Sequence, residues 1–312
     1  MFIGIDLGGT NIAAGLVTAD GELVAQGSTP TLSGRPIAEV VDDMAGLCKK
    51  LVDDYGIKLS DIEGVGIGSP GSIDFKTGTV IYSNNLKMLN FPMADELSKR
   101  LGGLSVKVDN DANCAAMGEY KVSGNGAEDF ILVTLGTGVG TGVIANGKML
   151  RGFNGSAGEG GHITLVCDGE QCSCGRKGCW EAYASVTALI RQTKEAMEKH
   201  PESLMHEIAK KEGKVSGRTS FDAAKAGDKA GLEVVEQYRK YIAEGISSLE
   251  NLFQPAVIAI GGGISREGDY LLKPIIDIVE KNSYNKYIEH TKLVTAKLFN
   301  EAGIIGAAMI AK

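Results

Sequence analysis

No apolar run in this chain reaches the ~20 residues that a membrane-spanning helix requires. Lysine and arginine form no long run or stripe, and the net charge is −7, so the electrostatic footprint of a nucleic-acid binder is missing. The opening MFIGIDLGGT has neither a basic segment nor a cleavage site for export, and a soluble, cytoplasmic protein is expected. No low-complexity tract or flexible linker interrupts the 312 residues, a length for which two domains are the natural prior. Cysteine occurs six times, and Cys172, Cys174 and Cys179 fall within eight residues. In a reducing compartment such a cluster points to metal or redox chemistry, not to a disulfide framework.

Glycine, by contrast, is abundant at 43 residues and bunches after apolar β-branched runs. Three turns of this kind stand out: DLGGTN (6–11), LGTGVGTG (135–142) and GGGIS (261–265). Glycine lets main-chain N–H groups converge on an anion, and threonine hydroxyls add donors. None is a Walker A loop, because no Gly-Lys-Ser/Thr follows. The second cannot be a dinucleotide fingerprint, because a hairpin follows where a helix is required. Residues 2–24 can be laid over 130–150 with one gap, so that Phe2 meets Phe130, Leu7 meets Leu135, and Asp20-Gly21 meets Asn146-Gly147. DG and NG pairs favour primed two-residue hairpin turns. The expectation is a duplicated α/β fold whose domains each open with the same hairpin, with a nucleotide held in a shared cleft.

Helices are predicted over 36–56, ending at Gly56, from about Asp111 onward, over 180–200, and over 229–253. The last carries Leu232, Val235, Tyr238, Ile242, Ile246, Leu249 and Phe253 on one face and stops before Pro255. Residues 256–265 read as a buried strand entering a glycine turn, and 301–312 as a small-residue helix able to pack closely. The stretch 210–218 reads as a solvated loop, and His200, His206 and His290 as surface residues.

The order DLGGTN, GIGSPG, NDAN, LGTGVGTG, GEGGH, CxCGxxGCxE and GGG resembles the ROK family of sugar kinases, over nearly the whole chain. The wording of CWEAYAS (179–185) is similar to that of its bacterial glucokinases. The resemblance implies an α/β, two-domain actin/hexokinase/Hsp70-like (ribonuclease H-like) fold with a zinc-bearing loop. The expected division is 1–118 plus the C-terminal helix 301–312, against 119–300 with the zinc site and a helical insertion. A repressor of the same family would need a DNA-reading helix-turn-helix, and none is expected ahead of a strand that starts at Phe2.

The activity implied is transfer of phosphate from ATP to D-glucose, giving glucose 6-phosphate. The runner-up is another hexose: mannose, N-acetylmannosamine, N-acetylglucosamine or fructose. The family places the proton acceptor at Asp111, with Asp109 as a decoy two residues earlier. Sugar contacts are implied for Gly71, Asn85, Asn110, Asp111, Glu159, His162 and Glu181, and Asn84 competes with Asn85. On the nucleotide side Asp6 would orient the Mg²⁺–phosphate group through water. Gly9, Thr10, Asn11, Thr137 and Gly138 would line the phosphates, and Gly262 and Gly263 the adenosine. Cys172, Cys174 and Cys179 supply three ligands of a structural Zn²⁺. His162 is the fourth by resemblance, with Cys167 its rival. ATP and polyphosphate both stay open as donors, and the family's habit implies a homodimer or homotetramer.

Overall fold

The computed structural model describes residues 1–284 and 286–312. Strand β1 (Phe2–Leu7) pairs antiparallel with β2 (Asn11–Val17), and β2 pairs with β3 (Leu23–Pro30). Helix α1 (Ile37–Tyr55) follows, burying Val40, Val41, Met44, Cys48, Leu51 and Val52 along one face. It stops at Gly56, whose φ of 80° is the left-handed C-cap that glycine adopts most easily. Strands β4 (Gly64–Ser69), β5 (Ser72–Asp74), β6 (Thr79–Ser83) and β7 (Met88–Phe91), helix α2 (Met93–Arg100) and strand β8 (Val106–Asn110) lead to helix α3 (Asp111–Ser123). The first sheet has the order β3-β2-β1-β4-β8, in which β1, β4 and β8 run parallel. Every residue of β4 is buried, as expected for a parallel strand covered on both faces. Strands β5, β6 and β7 form a small antiparallel sheet of their own.

The second half begins with β9 (Phe130–Leu135), β10 (Val139–Ala145) and β11 (Lys148–Met149). Six helices follow or flank the later strands: α4 (Glu181–Ala184), α5 (Val186–Lys199), α6 (Met205–Glu212), α7 (Thr219–Lys225), α8 (Lys229–Phe253) and α9 (Asp269–Asn282). Strand β12 (Val257–Gly261) precedes α9, and β13 (Lys292–Thr295) and the terminal α10 (Ala302–Ala311) complete the chain. This sheet has the order β11-β10-β9-β12-β13. Counted along each sheet's own strands, both read third, second, first, fourth, fifth. The duplication seen between residues 2–24 and 130–150 is therefore a repeat of topology.

The two hairpin connections differ. Asn146 and Gly147 both have positive φ, 50° and 70°, as the primed turn requires. At the other connection only Gly21 does, with φ 88°. Its amide bonds the Thr18 carbonyl at 3.0 Å, so four residues make a turn that ends on glycine, not the expected two-residue one.

The chain divides into two compact units. Unit 1 is Met1–Leu132, Gly142–Gly158 and Lys297–Lys312; unit 2 is Val133–Thr141 and Glu159–Ala296. In unit 1, α10 lies on β1, β4 and α3 at backbone contact. A Cβ on Gly4 would sit 1.8 Å from the Ile304 carbonyl oxygen, and one on Gly306 would sit 1.6 Å from that of Cys114. In unit 2 the single tryptophan, Trp180, is buried on Gly245 of α8 and donates its indole N–H to the Tyr241 carbonyl at 2.7 Å.

Two further expectations need correction. The helix read over 180–200 breaks at Ser185, whose hydroxyl oxygen accepts the Ala188 amide at 3.0 Å and caps α5. The helix read over 229–253 forms as α8, with its apolar face buried in the middle and Leu232 and Phe253 exposed near its ends. Lys210 and Lys211 belong to α6, so the solvated stretch begins at Gly213. Among the described residues no helix is long and apolar enough to cross a membrane.

Candidate active site

In unit 1 the candidate groups gather at the carboxyl ends of three neighbouring parallel strands, the usual place for a site in an open α/β sheet. Asp6 of β1 is in register with Gly68 of β4, and Gly68 with Asp109 of β8. The chain turns from β8 into α3 at Asn110, whose Oδ1 accepts the amides of Ala112 at 2.9 Å and Asn113 at 3.3 Å. Asn110 is thus the helix cap, and Asp111 is free of that duty. Asn110 Nδ2 donates to the Gly71 carbonyl at 3.2 Å, which joins two of the expected sugar-binding positions. Gly71 has φ 112°, and a Cβ there would meet the Tyr82 carbonyl at 2.1 Å.

The two aspartates of VDNDAN have different surroundings. Asp109 is buried, and its Oδ2 accepts Arg151 Nε and Nη2, each at 2.8 Å. Its Oδ1 accepts the Asn110 amide at 2.8 Å and Asn113 Nδ2 at 3.0 Å. Asp111 has one bond to its own helix, from the Ala112 amide at 2.9 Å. Burial raises the Asp111 carboxyl above the usual carboxylate range, although the Ala112 amide and Asn110 pull the other way. Burial and, second, the charge of Asp111 push Asp6 up to about 6. Gly9, Thr10 and Asn11 form the β1–β2 turn, closed by the Gly8 amide on the Asn11 carbonyl at 3.0 Å. Asn85 lies beside that turn, with its Cβ 3.8 Å from where a Gly9 Cβ would be. Asn84 and Asn85 are both exposed, and Asn84 Oδ1 accepts the Tyr82 hydroxyl at 3.4 Å.

In unit 2 the GEGGH turn rests on β10. The Gly160 amide bonds Thr141 Oγ1 at 2.7 Å, and Gly161 faces the Val139 carbonyl at a distance that only glycine allows. His162 leaves this turn toward the cysteines. Glu159 is exposed. Thr137 and Gly138 lie in the β9–β10 turn, where the Thr137 carbonyl accepts Thr187 Oγ1 at 2.7 Å. Gly262 has φ 89° and abuts Leu135 at the end of β9, so the glycine turn after β12 and the turn after β9 are neighbours.

His162, Cys172, Cys174 and Cys179 place one ligand atom each within 4.8 Å of one another. Two thiolates about 2.3 Å from a tetrahedral zinc would stand roughly 3.8 Å apart. Cys174 and Cys179 are 3.6 Å apart at sulfur, and Cys172 Sγ is 3.7 Å from His162 Nδ1. Both distances match the edge of such a tetrahedron and are far longer than an S–S bond. The donor set, three soft thiolates and an imidazole, is one that zinc favours. This cluster can hold zinc. Cys167, the rival ligand, is exposed outside the cluster, and its nearest polar partner is Asp168. Left-handed Gly175 and Gly178, with φ 90° and 78°, let the loop fold back on itself. Arg176 Nη1 ties the loop to the His162 carbonyl at 3.0 Å.

Several partners in these networks carried no signal in the sequence. Arg151 lies 42 residues from the aspartate it holds. Ser173 and the Val139 amide, both bonded to Glu181, gave equally little sign. Asn113, Val139 and Ser173 stand within quoted motifs, but nothing in those motifs names the partner of each.

A twice-repeated five-stranded sheet, acidic strand ends and a Cys₃His loop define the class of protein. The sequence profile described as the ROK family matches residues 2–312, and the chain belongs to that family. It is 39% identical over 313 residues to the glucokinase of Halalkalibacterium halodurans, with 100% of this chain and 94% of that protein covered. It is 36% identical to the glucokinase of Thermotoga maritima, with 99% and 96% covered. A crystal structure of a ROK family glucokinase from Streptomyces griseus in complex with glucose and AMPPNP is similar, with a TM-score of 0.83 and 35% identity. The match covers 99% of this chain and 98% of that one.

Proposed function

We propose that this sugar kinase is a glucokinase, transferring the γ-phosphoryl group of ATP to O6 of D-glucose. The observation that carries the reading is the division of labour at the end of β8: Asp109 is fully engaged, and Asp111 stands available at the start of α3. The likeness to full-length glucokinases, one of them bound to glucose and an ATP analogue, supports glucose as the acceptor.

In the proposed reaction the O6 hydroxyl attacks the γ-phosphorus while its proton passes to the Asp111 carboxylate. The bond from the γ-phosphorus to the bridging oxygen of ADP breaks, and glucose 6-phosphate and ADP leave. A burial-raised carboxyl is suited to this work, since a general base acts best when its pKa approaches the working pH. Asn110, the Gly71 backbone, Asn85, Glu159, Glu181 and His162 hold the sugar hydroxyls. Gly9, Thr10, Asn11, Thr137 and Gly138 offer main-chain and hydroxyl donors to the phosphates, and Gly262 and Gly263 approach the adenosine. Mg²⁺, carried on the phosphates with Asp6 oriented to its water shell, would neutralise charge developing during transfer. Zinc in the Cys₃His cluster is structural: with four protein ligands it has no position open for chemistry. If Nδ1 of His162 binds the metal, Nε2 remains free to donate to a hydroxyl. The protein is expected to act in the cytoplasm as a homodimer or homotetramer.

The test is an assay of ADP release across glucose, mannose, fructose, N-acetylmannosamine and N-acetylglucosamine, run with ATP and separately with polyphosphate. Glucose with ATP is expected to give a kcat/KM at least about tenfold above every other pair. A larger value for another hexose would transfer the assignment to that sugar.

A further inference from the structure

Asp109 is a buried carboxylate with four hydrogen bonds, two on each oxygen. One of these partners differs from the rest. Asn110 and Asn113 are neighbours in the same strand-to-helix junction, whereas Arg151 arrives from the loop after β11 and brings a positive charge. Its guanidinium also stacks on the Phe75 ring, 3.8 Å from the centroid, so it is gripped from two sides. The same loop touches β5 at Gly155, where a Cβ would come within 2.4 Å of the Ile73 carbonyl.

The surroundings are otherwise acidic. Asp6 from β1, Asp109 from β8 and Asp111 from α3 crowd the strand ends, and the strand between them, β4, contains no charged residue. Helix α10, packed behind, has none either. Asp74 in β5 is turned away toward the Lys76 amide and the Thr77 hydroxyl. The buried thiol of Cys114 responds to the whole group. Its pKa is raised by burial first, then by Asp109, Asp111 and Asp6, and Arg151 alone among these charges acts in the opposite sense.

We infer that Arg151 is a positioning residue for phosphoryl transfer. It locks Asp109, and through the Asp109–Asn110 and Asp109–Asn113 bonds it fixes the first turn of α3 on which Asp111 stands. Its charge also offsets that of Asp109, which lowers the net negative charge at the strand ends beside Asp111. Without Arg151, Asp109 Oδ2 would be a buried carboxylate oxygen with no donor, and the junction would shift. The inference rests on the reading of Asp111 as proton acceptor, and its test separates the two.

The experiment compares wild type, Arg151→Met, Arg151→Lys and the charge-balanced double variant Arg151→Met/Asp109→Asn. In each, the Asp111 carboxyl is followed by ¹³C NMR through a pH titration, its signal assigned by loss in Asp111→Asn, alongside pH profiles of glucose phosphorylation. Arg151→Met is expected to move the Asp111 midpoint and the acid limb of kcat/KM up by about 1 pH unit. It should lower kcat roughly 10- to 100-fold, the effect of a misplacement near 1 Å. Arg151→Lys, which keeps the charge but loses the fork, should lower kcat a few-fold and leave the midpoint in place. The double variant should return the midpoint to within about 0.3 unit of wild type. That return distinguishes a role in positioning and charge from simple destabilisation, and it can be read even if the single Met variant fails to fold. An Asp111 midpoint unmoved in Arg151→Met, or equally displaced in the double variant, overturns the inference. If the midpoints move as described but wild type phosphorylates no glucose, the glucokinase reading fails and the role of Arg151 in setting Asp111 stands.

Discussion

Glu181 accepts the Val139 amide on Oε2 at 3.0 Å and the Ser173 hydroxyl on Oε1 at 2.9 Å. One carboxylate therefore ties the β9–β10 turn, which carries Thr137 and Gly138, to the loop that carries the cysteines. A Cβ on Gly138 would sit 2.3 Å from the same Oε2, so glycine is what allows the approach.

Removing this tie should disturb both substrates. Glu181→Ala is expected to raise the KM for glucose and the KM for ATP, each by about tenfold or more, as an unsatisfied amide and a slack turn imply. Glu181→Gln keeps an acceptor for Val139 and should spare the ATP term while still weakening glucose binding. Steady-state kinetics with each substrate varied in turn checks this. A change confined to glucose in Glu181→Ala would separate the turn from the carboxylate.

Asp111 must be ionised to accept a proton, and burial raises its carboxyl above the ordinary range. Activity should therefore fall on the acid side at a pH above that of an ordinary carboxylate, and recover as pH rises. Asp111→Asn should lose about 10²–10⁴-fold in kcat with glucose binding little changed. Calorimetric titration with glucose, beside kinetics from pH 5 to 9, reports both. Turnover near that of wild type in the variant would remove Asp111 from the mechanism.

Asp6 has the opposite bearing on stability. Its folded-state carboxyl titrates near 6 instead of the usual 3.8, so the fold favours the protonated form. That contribution is fully present below the ordinary carboxylate pKa and is lost as pH rises through about 6. Asp6→Asn should consequently unfold at a higher temperature than wild type at pH 7.5, by roughly 1–3 kcal/mol of stability, with little difference at pH 4. It should lose activity at the same time, since strain held at a working site is a familiar exchange. Thermal unfolding at the two pH values measures the effect.

Elemental analysis of the purified protein should find about one zinc per chain, a site of known ligand number and spacing. Chelation, or Cys174→Ser, should lower the melting temperature and raise the KM for glucose together. Cys167→Ser should do neither, because Cys167 is outside the cluster. Full thermal stability after complete metal removal would sink the structural role.

Much of this architecture was legible because local signals agreed with the global fold. The repeated hairpin announced the repeated sheet, Gly56 announced the end of α1, and the 172–179 spacing announced a cage. Other features are decided by tertiary contact. Nothing local says that Asn110 and not Asp111 caps α3, since both residue types cap helices well. The choice between His162 and Cys167 depends on how left-handed glycines fold the loop, and a spacing rule does not encode that. Arg151 was silent for the same reason: its meaning comes from Asp109, brought to it only by the folded sheet.

The interdigitation of α10 with Gly4, Gly66 and Gly118 has a consequence for biogenesis. Strand β1 is made before the residues of unit 2 and α10 after them, so this face of the unit 1 sheet stays uncovered while all of unit 2 is synthesised. Emergence of Ala302–Ala311, not of β1, is the event that seals this face of the sheet.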